Sequence, residues 1–116
     1  MMKELIMSVA VMGLVGCTSV QIPADRLERS EASIRGAEEV GASGVPLARL
    51  HLQLAKDQTV TAKKMAANGQ ERALLVLARA EADAELAIGL AREATVHNDA
   101  LRATEDLKAV RDRGTR

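Results

Sequence analysis

Few side chains in this sequence could do chemistry, and their spacing limits what that chemistry could be. There is a single cysteine, Cys17, and there are two histidines, His51 and His97. Neither histidine has a second His or a Cys close by in sequence, and a metal site needs several donors at fitting spacing. Each therefore reads as a surface or boundary residue. Glu81, Asp83 and Glu85 make an acidic cluster. Positions 81 and 85 would be neighbours on a helix and could hold a cation weakly, but Arg79 and Arg92 can balance them, so a solvated face is the plainer reading. Lys56, Lys63 and Lys64 could meet anionic lipid headgroups or wall polymers, or form another solvated face. No nucleophile–base set, phosphate-cradling glycine loop or catalytic carboxylate pair stands out, so neither an enzymatic activity nor a small-molecule substrate is expected.

Composition narrows the field further. The chain has 116 residues, enough for one small domain, and is 47% hydrophobic and 28% charged. Lys+Arg 16 against Asp+Glu 16 gives net charge +0, which lacks the basic excess that nucleic-acid binding usually needs. Aromatic content is 0%, so there is no stacking platform for bases or sugars and no aromatic cage for cations. One cysteine makes neither an internal disulfide nor a multi-thiolate metal site. No cofactor or metal is expected beyond what could attach covalently to Cys17.

The N-terminus reads as an address. Met1-Met2-Lys3-Glu4 precedes an apolar run from Leu5 to Val15, interrupted only by Ser8 and Gly13. A basic start before about 7–15 apolar residues is a secretory signal pattern, although Glu4 departs from it. The run is short of the about 20 apolar residues that span a membrane. Leu14-Val15-Gly16-Cys17 resembles the lipobox of bacterial lipoproteins; the other reading is a plain secretory signal with an incidental cysteine. The resemblance implies cleavage before Cys17, a diacylglyceryl group on its thiol, and an acyl chain such as palmitate on the new amino terminus. A thioether leaves no free thiol to oxidise, and each buried CH₂ contributes about 0.8 kcal/mol, with stable anchoring needing two or more chains. Thr18 is not the Asp that favours inner-membrane retention, so the resemblance implies the periplasmic leaflet of an outer membrane. In a monoderm source it would imply the outer leaflet of the plasma membrane. The expected organisation is a signal segment over 1–16, a lipidated tether over 17–23 and a helical domain over 24–113.

The mature part predicts an all-α fold: an antiparallel helical hairpin or three-helix bundle with a long C-terminal helix. Pro23 suits a helix start, with Asp25 an alternative cap. Ala24, Leu27, Ile34, Ala37 and Gly41 then share one face, until Gly41-Ala42-Ser43-Gly44-Val45-Pro46 stops the helix and restarts the chain. The second segment runs from about Pro46 to Asn68. It carries one stripe of Leu47, Leu50, Leu54, Thr61 and Met65, and another, mostly small, of Ala48, Leu52, Ala55, Ala62 and Ala66. Asn68-Gly69 is a strong helix stop. The third segment starts near Gln70 and meets no Gly/Pro stop until Gly114, apart from Gly89, which reads as a close-packing point. His97-Asn98-Asp99 is its weakest stretch, where a break is an open alternative.

Two stripes follow this third segment. Leu77, Ala80, Ala84, Ala87, Ala91, Ala94 and Leu101 form a seam of mostly alanine; Leu86, Gly89, Val96, Ala100, Ala103, Leu107 and Val110 form another, shifted around the helix. The alanine seam is either a simple core or an oligomer interface. Short loops make consecutive helices antiparallel neighbours, and an acidic first segment faces a second made basic by Arg49, Lys56, Lys63 and Lys64. Without large aromatics, each of which would bury about 150–250 Å², marginal stability is expected for the monomer.

The residues Glu38-Glu39-Val40-Gly41-Ala42, Val45-Pro46-Leu47-Ala48-Arg49, Ala66-Ala67-Asn68-Gly69-Gln70-Glu71-Arg72-Ala73 and Ala80-Glu81-Ala82-Asp83-Ala84-Glu85-Leu86-Ala87, behind the Cys17 motif, are similar to small alanine-rich helical lipoproteins of bacteria that carry an envelope domain of unknown function. In that class the helical domain sometimes precedes an OmpA-like peptidoglycan-binding domain. This chain offers no room for one, so such binding is not implied, and the class supplies no catalytic residues. Gly69 followed by Ala73 is also similar to a tetratricopeptide helix pair, without the bulky aromatic positions or the stacked repeats that solenoids need. The major wall-linked lipoprotein of enteric bacteria ends in a lysine joined to peptidoglycan; Arg113-Gly114-Thr115-Arg116 does not match that pattern.

The expectation is thus an outer-membrane-anchored periplasmic lipoprotein acting as a structural or adaptor module. The third helix outruns its neighbours, so Val96, Leu101, Leu107 and Val110 are the candidate surface for an envelope protein or a second copy. The alternative is binding of a cell-wall polymer through the basic face of the second helix, at Lys56, Lys63 and Lys64.

Overall fold

A computed structural model describes residues 19–115. Leu14, Val15, Gly16 and Cys17, with the signal segment they end, lie outside the described residues. The described chain is all helical: α1 (Ala24–Glu39), a 3₁₀ turn at Ala42–Gly44, α2 (Pro46–Ala67) and α3 (Ala73–Gly114). Helix α2 runs antiparallel along the first half of α3, and α1 lies chiefly against α3 while touching α2 more lightly.

The helix boundaries follow from local chemistry. Pro23, with φ −56° and ψ 133°, is the residue before α1 and not its first turn; its carbonyl accepts from the amides of Arg26 at 3.0 Å and Leu27 at 3.2 Å. Asp25 is not the cap. It sits in the first turn, where its charge favours the positive end of the helix dipole. Pro46 occupies the first turn of α2, where its missing N–H costs nothing. Gly69 closes α2 with φ 72°. Its amide donates to Ala66 O at 3.0 Å and the Gln70 amide to Met65 O at 2.9 Å, the paired bonds of a Schellman C-cap. Gly41, at φ 80°, likewise follows α1, with its amide donating to Glu38 O at 3.0 Å.

The core is built from alanine. Ala48, Ala55 and Ala62 on α2 and Ala80, Ala84 and Ala87 on α3 are fully buried, with Leu52 and Leu77 the large side chains among them. The small-residue stripe of α2 is therefore the inner one, and Leu47, Leu50 and Leu54 remain 53%, 53% and 38% exposed. Close approach of three helix backbones explains the choice, because a leucine seam would hold the axes further apart. The buried seam on α3 runs from Ala73 to Ala91, Ala94 lies at its margin, and Leu101 is exposed.

Helix α3 starts at Ala73, not at Gln70, because Gln70–Arg72 complete the turn. It then runs 42 residues without a break at His97-Asn98-Asp99, a length of about 63 Å. Gly89 is not a close-packing point: it is exposed, and a Cβ placed on it would meet nothing within 4 Å. From Val96 onward every described residue of α3 is exposed.

Two substitutions test this packing in urea unfolding followed by far-UV circular dichroism. Ala84→Leu overfills the seam and should cost about 1–3 kcal/mol, whereas Ala109→Leu on the overhang should change stability by less than about 0.5 kcal/mol. Gly89→Ala should stabilise by about 0.4–1 kcal/mol, since the open helical site accepts a methyl and the unfolded chain loses freedom.

Candidate functional site

The polar groups that could do chemistry are mostly committed to holding the helices together. His51 on α2 and Asp83 on α3 meet at 2.8 Å through Nδ1 and Oδ1, and the Gln58 amide donates to the other Asp83 oxygen at 2.9 Å. Both members of the His51–Asp83 pair are largely covered, with side chains 22% and 16% exposed. The acidic cluster is thus divided. Asp83 joins α2 to α3, Glu81 lies 3.9 Å from Arg29 of α1, and Glu85 is exposed. His97 is exposed beside Leu47 and Leu90. Among the described residues, no group of three or more His, Cys, Asp or Glu side chains could hold a metal ion.

The basic face of α2 is also engaged. Lys56 pairs with Glu38, and Lys63 donates to Glu31 at 2.7 Å. These are the α1–α2 charge pairs that the opposed compositions of the two segments predict. Being exposed, each is worth only about 0–1 kcal/mol, so they orient the helices more than they hold them. Lys64 has no such partner among the described residues, and it faces solvent. Between these pairs the hydroxyls of Ser30 and Thr59 meet at 3.1 Å in the buried interface, and Thr59 also donates to Ala55 O at 2.8 Å. That cross-link was not legible from the apolar pattern, because a Ser and a Thr inside an alanine interface carry no hydrophobic signal.

The apolar candidates lie elsewhere. Val96, Leu101, Leu107 and Val110 are 68%, 52%, 72% and 62% exposed, all on the part of α3 that continues past α1 and α2. Three of them share a face. Leu101 does not: at 3.6 residues per turn it points about 140° away from Val96 and continues the line of the alanine seam. Val96 borders a shallow apolar depression with Val40, Arg92 and Thr95, so the end of α1 contributes to the surface. Further out, the stems of Lys108 and Arg111 widen the apolar patch of Leu107 and Val110.

The lower end of the bundle is fixed as well. The Val20 amide donates to Ala66 O at 3.1 Å, which ties the segment before α1 to the last turn of α2, beside the start of α3. The overhang therefore leaves from the opposite end of the bundle. No helix among the described residues is long and apolar enough to cross a membrane. No protein-family model matches the chain, and neither a curated protein nor a solved structure matches it.

The His51–Asp83 contact yields a measurable coupling. A double-mutant cycle with His51→Ala and Asp83→Ala should return about 0.5–1.5 kcal/mol of interaction energy in denaturant unfolding, while the same cycle with Glu85→Ala in place of Asp83→Ala should return none.

Proposed function

We propose that this chain is a lipid-anchored envelope protein in which the three-helix bundle holds a bare helical arm away from the membrane for protein–protein contact. The observation that carries this reading is directional. Val20 is bound at the α2 C-terminus, and the overhang of α3 departs from the other end. Cys17 precedes Val20 by three residues, a reach of at most about 11 Å. A lipid on Cys17 would thus hold the Val20 end of the bundle near the bilayer surface. The arm beyond Val96 would then extend about 27 Å past the bundle, into the periplasm if the anchor is in an outer membrane.

The lipobox-like Leu14-Val15-Gly16-Cys17 supports the anchor, and the 62–72% exposure of Val96, Leu107 and Val110 supports the contact surface. The binding of a wall polymer through α2 has less to draw on, since Lys56 and Lys63 already face carboxylates of α1. Adaptor and structural roles need no catalytic group, and His51, Gln58, Asp83, Ser30 and Thr59 are engaged in helix–helix contacts.

One experiment in cells tests both halves. Labelled palmitate should enter the wild-type chain and not Cys17→Ser, and a photo-crosslinker placed at Leu107 should capture protein in the wild-type background. One placed at Leu101, on another face, should capture less. Absence of any adduct from Leu107 would overturn the contact reading, and label retained in Cys17→Ser would overturn the anchor.

A further inference from the structure

We infer that the arm pairs with a second copy of this chain, as a parallel two-helix contact formed between molecules on one membrane. This names the partner of the surface proposed above and rests on that reading. Val96, Ala100, Ala103, Leu107 and Val110 recur at alternating steps of four and three, the spacing that keeps a seam turned toward a partner helix. All five are exposed. The row continues back through Glu93 to Gly89, but an in-register pair would bring Glu93 against its own copy, so the like charges end the contact there.

The bundle leaves this side open. Helix α2 reaches α3 through His51 at Asp83, and α1 reaches it beside Ile88 and Glu81. Positions 83 and 81 lie about 140° and about 60° around the helix from Val96 on opposite sides. The row of five runs between them, and the empty surroundings of Gly89 extend the open face along the bundle.

The flanking charges select the orientation. In a parallel pair, Asp106, just before Leu107, faces Arg111 of the other copy, just after Val110, and the symmetry repeats the attraction; Asp99 faces Thr104, which is neutral. In an antiparallel pair laid over the same row, Asp99 falls beside Asp106 and Arg92 beside Arg113, so that flank repels, while the other, with Thr104 against its own copy and His97 beside Arg111, supplies no opposite-charge pair. Asp106 and Arg111 have no ion-pair partner in their own chain among the described residues, whereas Asp99 lies 3.9 Å from Arg102. The parallel arrangement also places both Val20 ends, and so both anchors, at the same surface. Five small or medium side chains bury too little for a dimer in dilute solution. Confinement to a membrane raises the effective concentration without any new contact.

The test uses the full-length chain in envelope membranes under mild oxidation, with Val96→Cys, Val110→Cys and the off-seam control Ala109→Cys. The unsubstituted chain serves as the baseline: a disulfide dimer there would mean that the Cys17 thiol is free, which reports on the anchor separately. Val96→Cys and Val110→Cys should each give a disulfide dimer, several-fold above Ala109→Cys. Co-expressed, they should give same-site dimers only. Asp106→Arg should lower the yield several-fold, and adding Arg111→Asp should restore it. A Val96–Val110 mixed disulfide, or yields untouched by Asp106→Arg, would overturn the parallel pairing. No dimer from either seam cysteine, alongside a Leu107 adduct to a different protein, would overturn self-pairing while leaving the adaptor reading in place.

Discussion

The close contact of alanine faces between α2 and α3 is the constraint on which the rest of this structure depends. Ala48, Ala55 and Ala62 meet Ala80, Ala84 and Ala87 at full burial, and side chains this small let helix axes approach toward the lower end of the usual range of about 8–10 Å. Each alanine buries little area, so the interface gains from many backbone-level contacts and not from a few large anchors. That explains why polar cross-links are placed inside it. The His51–Asp83 and Gln58–Asp83 bonds add direction to a surface whose apolar contacts are nearly uniform along the helix, and Ser30–Thr59 does the same between α1 and α2. A smooth alanine interface could slide by one turn at small cost, and these bonds exist in only one register.

The same constraint places the larger apolar side chains outside. Leu47, Leu50 and Leu54 stay 53%, 53% and 38% exposed on α2, where a fold built on leucine would have turned them inward. The overhang follows from length alone. Helix α2 has 22 residues and α3 has 42, so no neighbour within the described chain can cover the second half of α3.

The all-helical class, the Gly69 stop, the long third helix and the α1–α2 charge pairing were legible because each has a local or compositional signature. Which stripe of α2 faced inward was not, since a leucine stripe and an alanine stripe satisfy the same periodicity. The decision lies in how closely three backbones approach, a tertiary quantity. The division of the Glu81, Asp83 and Glu85 cluster was hidden for a similar reason. His51 lies 32 positions from Asp83, and only the antiparallel register brings them together. Gly89 read as a packing point because interior glycine in a helix usually has a reason, and here the described residues supply none. Val96, Leu101, Leu107 and Val110 are all exposed on the overhang, but they do not make one stripe: counting at 3.6 residues per turn over a long helix separates Leu101 from the other three.

A bare helix in water is a costly thing to maintain without a use. Among the described residues the overhang has no tertiary partner to offset the entropy of ordering its backbone, and yet it carries no Gly or Pro between Ala94 and Arg113. Its helicity must come from propagation out of the bundle, from the many Ala, Leu, Arg, Lys and Glu residues that favour helix, and from local pairs such as Arg102 with Asp99. The bundle acts as the nucleus, since the unfavourable first turn is already formed at Ala73. Such an arm would fray from its free end, which sets the order of its contacts. Val96, beside Val40 and next to the bundle, is held most firmly, and Val110 least. A partner meeting this face would engage the ordered root first and then stabilise the tip, so that docking and completion of the helix proceed in the same direction.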